Sequence, residues 1–181
     1  MRLIVGQPEI EPVTVEEAKA HLRVTSDDED EYIKSLIVAA REWCETYQGR
    51  SWISKPVEYI VDFWPQSPIF LPRPPILGIT GVVYADSEGE HELPLTLFQL
   101  DAMGRLLILQ QQPSSDVLYT KISYEAGYGS DASVVPQKFK QAVLLLVGHW
   151  FENREVTSSN SVNEIPFTVE ALLNQERIML A

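Results

Sequence analysis

Three stretches of the chain repeat apolar residues at helical spacing, and the stretch between the second and the third alternates them at strand spacing. Thr14-Val-Glu-Glu17 has the capping-box spacing, which predicts a helix opening after Thr14 and ending near Arg23, with Ala18, Leu22 and Val15 inward. Ser26 and Glu29 repeat that spacing before a longer segment. There Ile33, Leu36, Ile37, Ala40, Cys44 and Tyr47 recur at i, i+3, i+4 and i+7, and Gly49 suits the residue after a helix. The second helix is therefore expected over about 27–48.

From Ser51 the texture changes. Prolines 56, 65, 68, 72, 74, 75 and 94 exclude a long helix. Val57–Phe63, Ile79–Tyr84, Arg105–Leu109 and Leu118–Glu125 read as strands, the last alternating cleanly. Asp86–Gly89 and Asp101–Gly104 read as hairpin turns, so four to six antiparallel strands are expected.

Pro136 is expected at the first position of a third helix, where its missing N–H costs nothing. Phe139, Ala142, Val143, Leu146 and Trp150 make its stripe, broad enough to lie against the second helix. Thr157–Asn163 is polar and reads as a mobile loop. A short helix with Val169, Leu172 and Leu173 on one side follows, then the apolar end Ile178-Met-Leu180. The element order makes the fold α+β: a helical core of two N-terminal helices and one long helix in the last third, with a small antiparallel β subdomain inserted at 51–130. We expect a single domain over 1–181, with 156–181 as a loop and a short docking helix.

Composition narrows the function. The 181 residues hold 26 acids against 14 Lys and Arg, a net charge of −12. That balance disfavours gripping nucleic acid through its phosphates and disfavours anionic membranes. Most of the charge lies before residue 135; residues 135–181 are nearly neutral. A single cysteine rules out an internal disulfide, and the N-terminus lacks a secretory pattern, so an intracellular protein is expected. No apolar run approaches membrane-spanning length.

The chain shows no catalytic constellation. Asp27, Asp28, Glu29, Asp30 and Glu31 are dense, but an EF-hand would need Gly and Glu where Tyr32 and Val38 stand. Acids at the positive end of a helix dipole explain the cluster better. His149 and Glu152 lack the second histidine of a zincin helix, and His21 and His91 lie in unrelated segments. Cys44 falls on the apolar stripe, the setting of an inert thiol. Gly127-Tyr-Gly129 reads as a turn and not a phosphate cradle. Neither a metal nor a cofactor is called for. On these residues alone the chain is an acidic α+β protein with an interaction or structural role.

Several segments, in order, resemble one family. Ile122–Gly129 and Val135–Glu155, with Pro136, Gln141, Ala142, His149 and Glu152-Asn-Arg-Glu155, are similar to the head–tail connector, or DNA-packaging adaptor, proteins of tailed phages and prophages. Pro12–Arg23, Leu71–Ile76 and Val169–Leu173 with Arg177 extend the likeness over nearly the whole chain. Gln175-Glu176 departs from the family's Pro-Tyr or similar pair. The resemblance implies a structural protein and no enzyme. It implies a ring of roughly a dozen copies of this chain in the virion neck, assembled from the host cytoplasm beneath the portal protein. Such a ring extends the channel through which double-stranded DNA passes in transit and docks a stopper or tail-completion protein. Within that picture Phe167, Val169, Leu172, Leu173, Arg177 and Ile178 would dock the portal. Asp27, Asp28, Glu29, Asp30 and Glu31 would form an acidic channel wall. A head-completion or stopper protein of the same particle is the alternative within this class; a prophage metal-dependent hydrolase using His149 and Glu152 is the alternative outside it.

Overall fold

The computed structural model describes residues 1–102, 104–109, 113, 116–154 and 167–178. The polar stretch 157–163, Glu155 and the apolar Met179-Leu180 lie outside the described residues. The fold is α+β; the described residues form four helices, a five-stranded antiparallel sheet and a two-stranded hairpin. The chain divides into two compact units, one of residues 1–9 and 51–129, the other of 10–50 and 130–181.

The first unit is the β unit. Its strands are β1 (Arg2–Val5), β2 (Lys55–Val61), β3 (Ile76–Asp86), β4 (Gly89–Glu92), β5 (Phe98–Leu100), β6 (Leu106–Ile108) and β7 (Tyr119–Ala126). The sheet runs β1-β2-β7-β3-β4, every neighbour antiparallel, and β5 pairs with β6. Strand β7 is central, and its alternation is complete: Thr120, Ile122, Tyr124 and Ala126 are buried. Ile122 and Tyr124 meet Val57, Val82, Ile69 and Leu106 in one apolar cluster, each such side chain contributing about 1.5–3 kcal/mol when fully buried. Asp86–Gly89 and Asp101–Gly104 do close the hairpins β3–β4 and β5–β6. Strands β1, β4 and β5 were not among the four expected runs. They are three or four residues long, too short to show a period.

Gly127-Tyr-Gly129 is a close crossing of backbones. Ser54 N–H donates to Gly129 O at 2.8 Å and Tyr128 N–H to Trp52 O at 2.9 Å. Gly127 has φ +146°, and a Cβ there would stand 2.5 Å from Ser54 N. Only glycine fits such a position.

The second unit holds α1 (Val15–Leu22), α2 (Asp30–Gln48), α3 (Gln137–Glu152) and α4 (Phe167–Asn174). The Thr14 capping box forms in full: Thr14 Oγ1 accepts from Glu17 N at 3.2 Å, and Thr14 N donates to Glu17 Oε2 at 2.8 Å. On α2 the expected stripe is inside: Ile33, Leu36, Ile37, Ala40 and Cys44 are buried, with Tyr47 half-buried. Gly49 ends the helix in the left-handed conformation, φ 70°. As expected, α2 packs along α3, which buries Phe139, Ala142, Val143 and Leu146.

Three local expectations need correction. Helix α2 starts at Asp30 and not near Asp27, because the Ser26–Glu29 capping box does not form. Ser26 Oγ instead engages Asp28, while Glu29 pairs with Arg154. Pro136 occupies the cap of α3, one residue before the first helical position. Trp150 is only half-buried, and Val147 takes its place in the stripe.

Candidate docking surfaces

The polar side of α2 carries a feature the apolar pattern did not announce. Arg41 is 1% exposed and sits in a fork of carboxylates: Nε donates to Glu11 Oε2 at 2.7 Å, Nη2 to Glu11 Oε1 at 3.2 Å, and Nη1 to Glu45 Oε2 at 3.0 Å. Burial works against the guanidinium's charge, but the hydrogen bonds and charges of Glu11 and Glu45 outweigh it and hold its pKa above the ordinary value. The pairing with Glu11 is two-pronged, the geometry for which arginine's planar fork is suited. It ties the segment before α1 to the middle of α2.

The acidic start of α2 is far less naked than its sequence. Lys19 reaches both Asp27 and Asp30, the latter at 2.8 Å; Arg154 pairs with Glu29 and Lys34 with Glu31. Asp28 accepts from Ser26 Oγ at 2.6 Å. Four of the five carboxylates thus have a cationic partner. The hydrogen bond from Lys19 keeps Asp27 below its usual range, and Lys19 is raised in turn by Asp27 and Asp30. Arg154 also lies over the rings of Tyr32 and Phe151, 4.7 and 4.6 Å from their centroids. These contacts fix the cluster in place and leave it only mildly negative.

Helix α4 is fastened to the far end of α2. Gln48 Nε2 donates to Leu173 O at 2.9 Å, Ile178 N to Gln48 O at 2.9 Å, and Arg50 Nε to Glu176 O at 2.8 Å. Tyr47 Oη donates to Asn174 Oδ1 at 3.0 Å, and Arg177 stacks over the Tyr47 ring. Of the six residues expected to dock a partner, Val169 and Leu173 are fully buried and belong to the core of this unit. Leu172 and Ile178 are half-buried and Arg177 is exposed. Phe167 alone offers a large apolar surface, at 82% exposure. The correction is physical: one side of an eight-residue helix cannot both fill its own core and face a partner.

A groove of about 430 Å³ lies in the same unit, lined by the apolar Ile10, Val13, Val15, Ile37 and Val38 together with Glu11, Thr14 and Lys34. The residues considered for catalysis are not assembled. His149 is half-buried and Glu152 exposed, and among the described residues no three His, Cys, Asp or Glu side chains are grouped to hold a metal. Cys44 is buried, which pushes its thiol pKa far up. Among the described residues no helix is long and apolar enough to cross a membrane.

Among the described residues the polar clusters are salt-bridged supports of an α+β scaffold, and the exposed features are surfaces. A family model described as head completion protein matches residues 11–175, and the chain belongs to that family. Among curated proteins none matches. The fold is similar to that of chains in three solved assemblies. One is the virion of a native gene transfer agent particle, with a TM-score of 0.78 and 24% identity over 100% of this chain and 97% of that one. Another is the neck of an empty gene transfer agent particle, computed with sixfold symmetry, at 0.79, 24% and the same coverage. The third is the neck of the native particle, computed with twelvefold symmetry, at 0.73 and 23%, again covering 100% and 97%.

Proposed function

We propose that this chain is a head-completion component in the neck of a phage-like particle, where copies form a ring around the path of double-stranded DNA and join the portal side to the next neck component. The carrying observation is the head completion family model, which spans residues 11–175. That membership favours completing the packaged head over the narrower role of a portal adaptor alone. The ring draws support from the sixfold and twelvefold necks in which a similarly folded chain stands. A closed ring needs heterologous contacts between identical copies.

The charge of −12 suits a protein beside moving DNA, since like charge prevents adhesion to phosphates. Because the cluster Asp27–Glu31 is largely paired, that repulsion is assigned to the chain's overall surplus of acid, not to those five residues as a wall. Partner docking is assigned to Phe167 and the neighbouring exposed side of α4. The test is native mass spectrometry of the chain with purified portal ring. Binding of several copies per ring is expected; absence of any association at every salt concentration overturns the reading.

A further inference from the structure

The two outer strands of the sheet are open on one side: among the described residues, β1 pairs only with β2 and β4 only with β3. Open edges invite pairing with another chain. We infer that β4 of one copy pairs in parallel with β1 of the next, joining the sheets of neighbouring copies head to tail. Four observations lead there.

The first is which backbone groups face outward. Gly6 N–H donates to Pro56 O, so in the alternating ladder Arg2 and Ile4 also turn their backbone groups to β2, leaving those of Leu3 and Val5 on the free edge. Leu93 N–H donates to Val82 O, so His91 faces β3 and the backbone groups of Glu90 and Glu92 are free.

The second is the pleat. Leu3, Val5 and Leu93 pack on the apolar cluster. By alternation, Arg2 and Ile4 on one edge and Glu90 and Glu92 on the other stand on the opposite face of the sheet. In a parallel pair the outward-turned residue of one strand lies opposite the inward-turned residue of the other. Glu90 opposite Arg2 and Glu92 opposite Ile4 therefore satisfies the ladder and keeps both apolar faces on the same side. An antiparallel pair would set Glu90 opposite Leu3 and turn the neighbour's sheet over.

The third is direction. Five strands joined by antiparallel steps leave β1 and β4 running the same way. Copies related by a modest rotation around a ring meet with those edges still roughly parallel, so symmetry and pleat select the same pairing.

The fourth is charge. Edge β4 carries exposed Glu90 and Glu92 with exposed Glu88 in its turn; edge β1 carries exposed Arg2. The side chains of Arg2 and Glu92 make no ion pair within the described residues. The contact sets Arg2 across from Glu90 and diagonal to Glu92, within reach of both. Each edge strand is four residues long, so one contact is weak and gains from the many-fold attachment of an assembling ring. Closure into a ring rests on the head-completion reading; the edge pairing does not.

The test is cross-linking of the full chain carrying Ile4→Cys and Glu92→Cys, treated with a short bismaleimide alone and on purified portal; Cys44 is buried and does not compete. A ladder extending past dimers is expected, since each copy offers both edges, and either single cysteine variant should give none. No ladder in either setting, or dimers only, overturns the inference. Several copies bound to portal without cross-links would leave the head-completion reading standing and remove this one. A ladder without portal binding would do the reverse. Charge reversal gives an independent reading by sedimentation: Arg2→Glu or Glu90→Arg should weaken self-association about fivefold, and the double reversal, which restores an opposite-charge pair directly across the contact, should recover most of it. Unchanged association in both single variants overturns the inference.

Discussion

Replacing Arg41 by methionine isolates the forked ion cluster. The substitution keeps a flexible apolar stem of similar length but leaves Glu45, 3% exposed, with its carboxylate buried beside a thioether. Glu11, 26% exposed, can turn to water and loses less. Removing one partner of a buried ion pair typically costs about 3–5 kcal/mol. The half-exposed Glu11 argues for the low end, about 3 kcal/mol, which for a chain of this size lowers the melting temperature by about 10 °C. Denaturant titration followed by circular dichroism at the helical minimum reads this directly. The double variant Arg41→Met, Glu45→Leu also removes the buried carboxylate and should recover at least half of the loss, because well-packed apolar side chains replace buried ion pairs at little cost. The reasoning is refuted if Arg41→Met costs under about 1 kcal/mol, the value of an exposed pair, or if the double variant is less stable than the single.

Gly127→Ala should cost about 3 kcal/mol or more, since the new Cβ meets the backbone at Ser54; a melting curve within a few degrees of the parent would contradict the close crossing. Burial raises the Cys44 pKa, so the thiolate is absent at pH 8 and a chromogenic disulfide reagent should react only after denaturation; stoichiometric labelling of the native chain would show the thiol is open. Thr14→Ala removes the side-chain half of the α1 cap, keeping the backbone N–H that donates to Glu17, and should lower stability by about 1 kcal/mol in the same titration. Phe167→Ala should leave stability within about 0.5 kcal/mol while reducing portal association; unchanged association would withdraw Phe167 from the docking surface.

What the sequence made legible was whatever a short window contains. The Thr14 cap, the α2 stripe and the alternation of β7 depend on residues within one or two turns or along one strand, and all three stand as expected. Arg41, Glu45 and Gln48 were hidden because their burial comes from Glu11 and the backbone of α4, far away in sequence. Strand β1 was hidden for the same reason: its partner Val57–Ile60 comes more than fifty residues later. The Ser26–Glu29 spacing was a true local signal that a distant competitor, Arg154, overruled. Chemistry was read correctly in kind, as a structural family, while the expected docking set was too generous. Composition marks Val169 and Leu173 as apolar but cannot say whether they cover their own helices or another protein.

Each unit is stitched from two separated pieces of chain, and this sets the order in which the nascent protein can close. When α2 has left the ribosome, β1 has no strand to join and the Ile33–Leu36–Ile37 stripe has no α3 to cover it. The β unit becomes complete only once β7 emerges, and the helical unit only after α4. At about 5–20 residues per second, α2 waits several seconds with its apolar stripe uncovered. That interval makes the second helix the natural handle for a chaperone. It also means that a chain terminated near Gly129 would carry a finished sheet joined to an unfinished, sticky half-bundle.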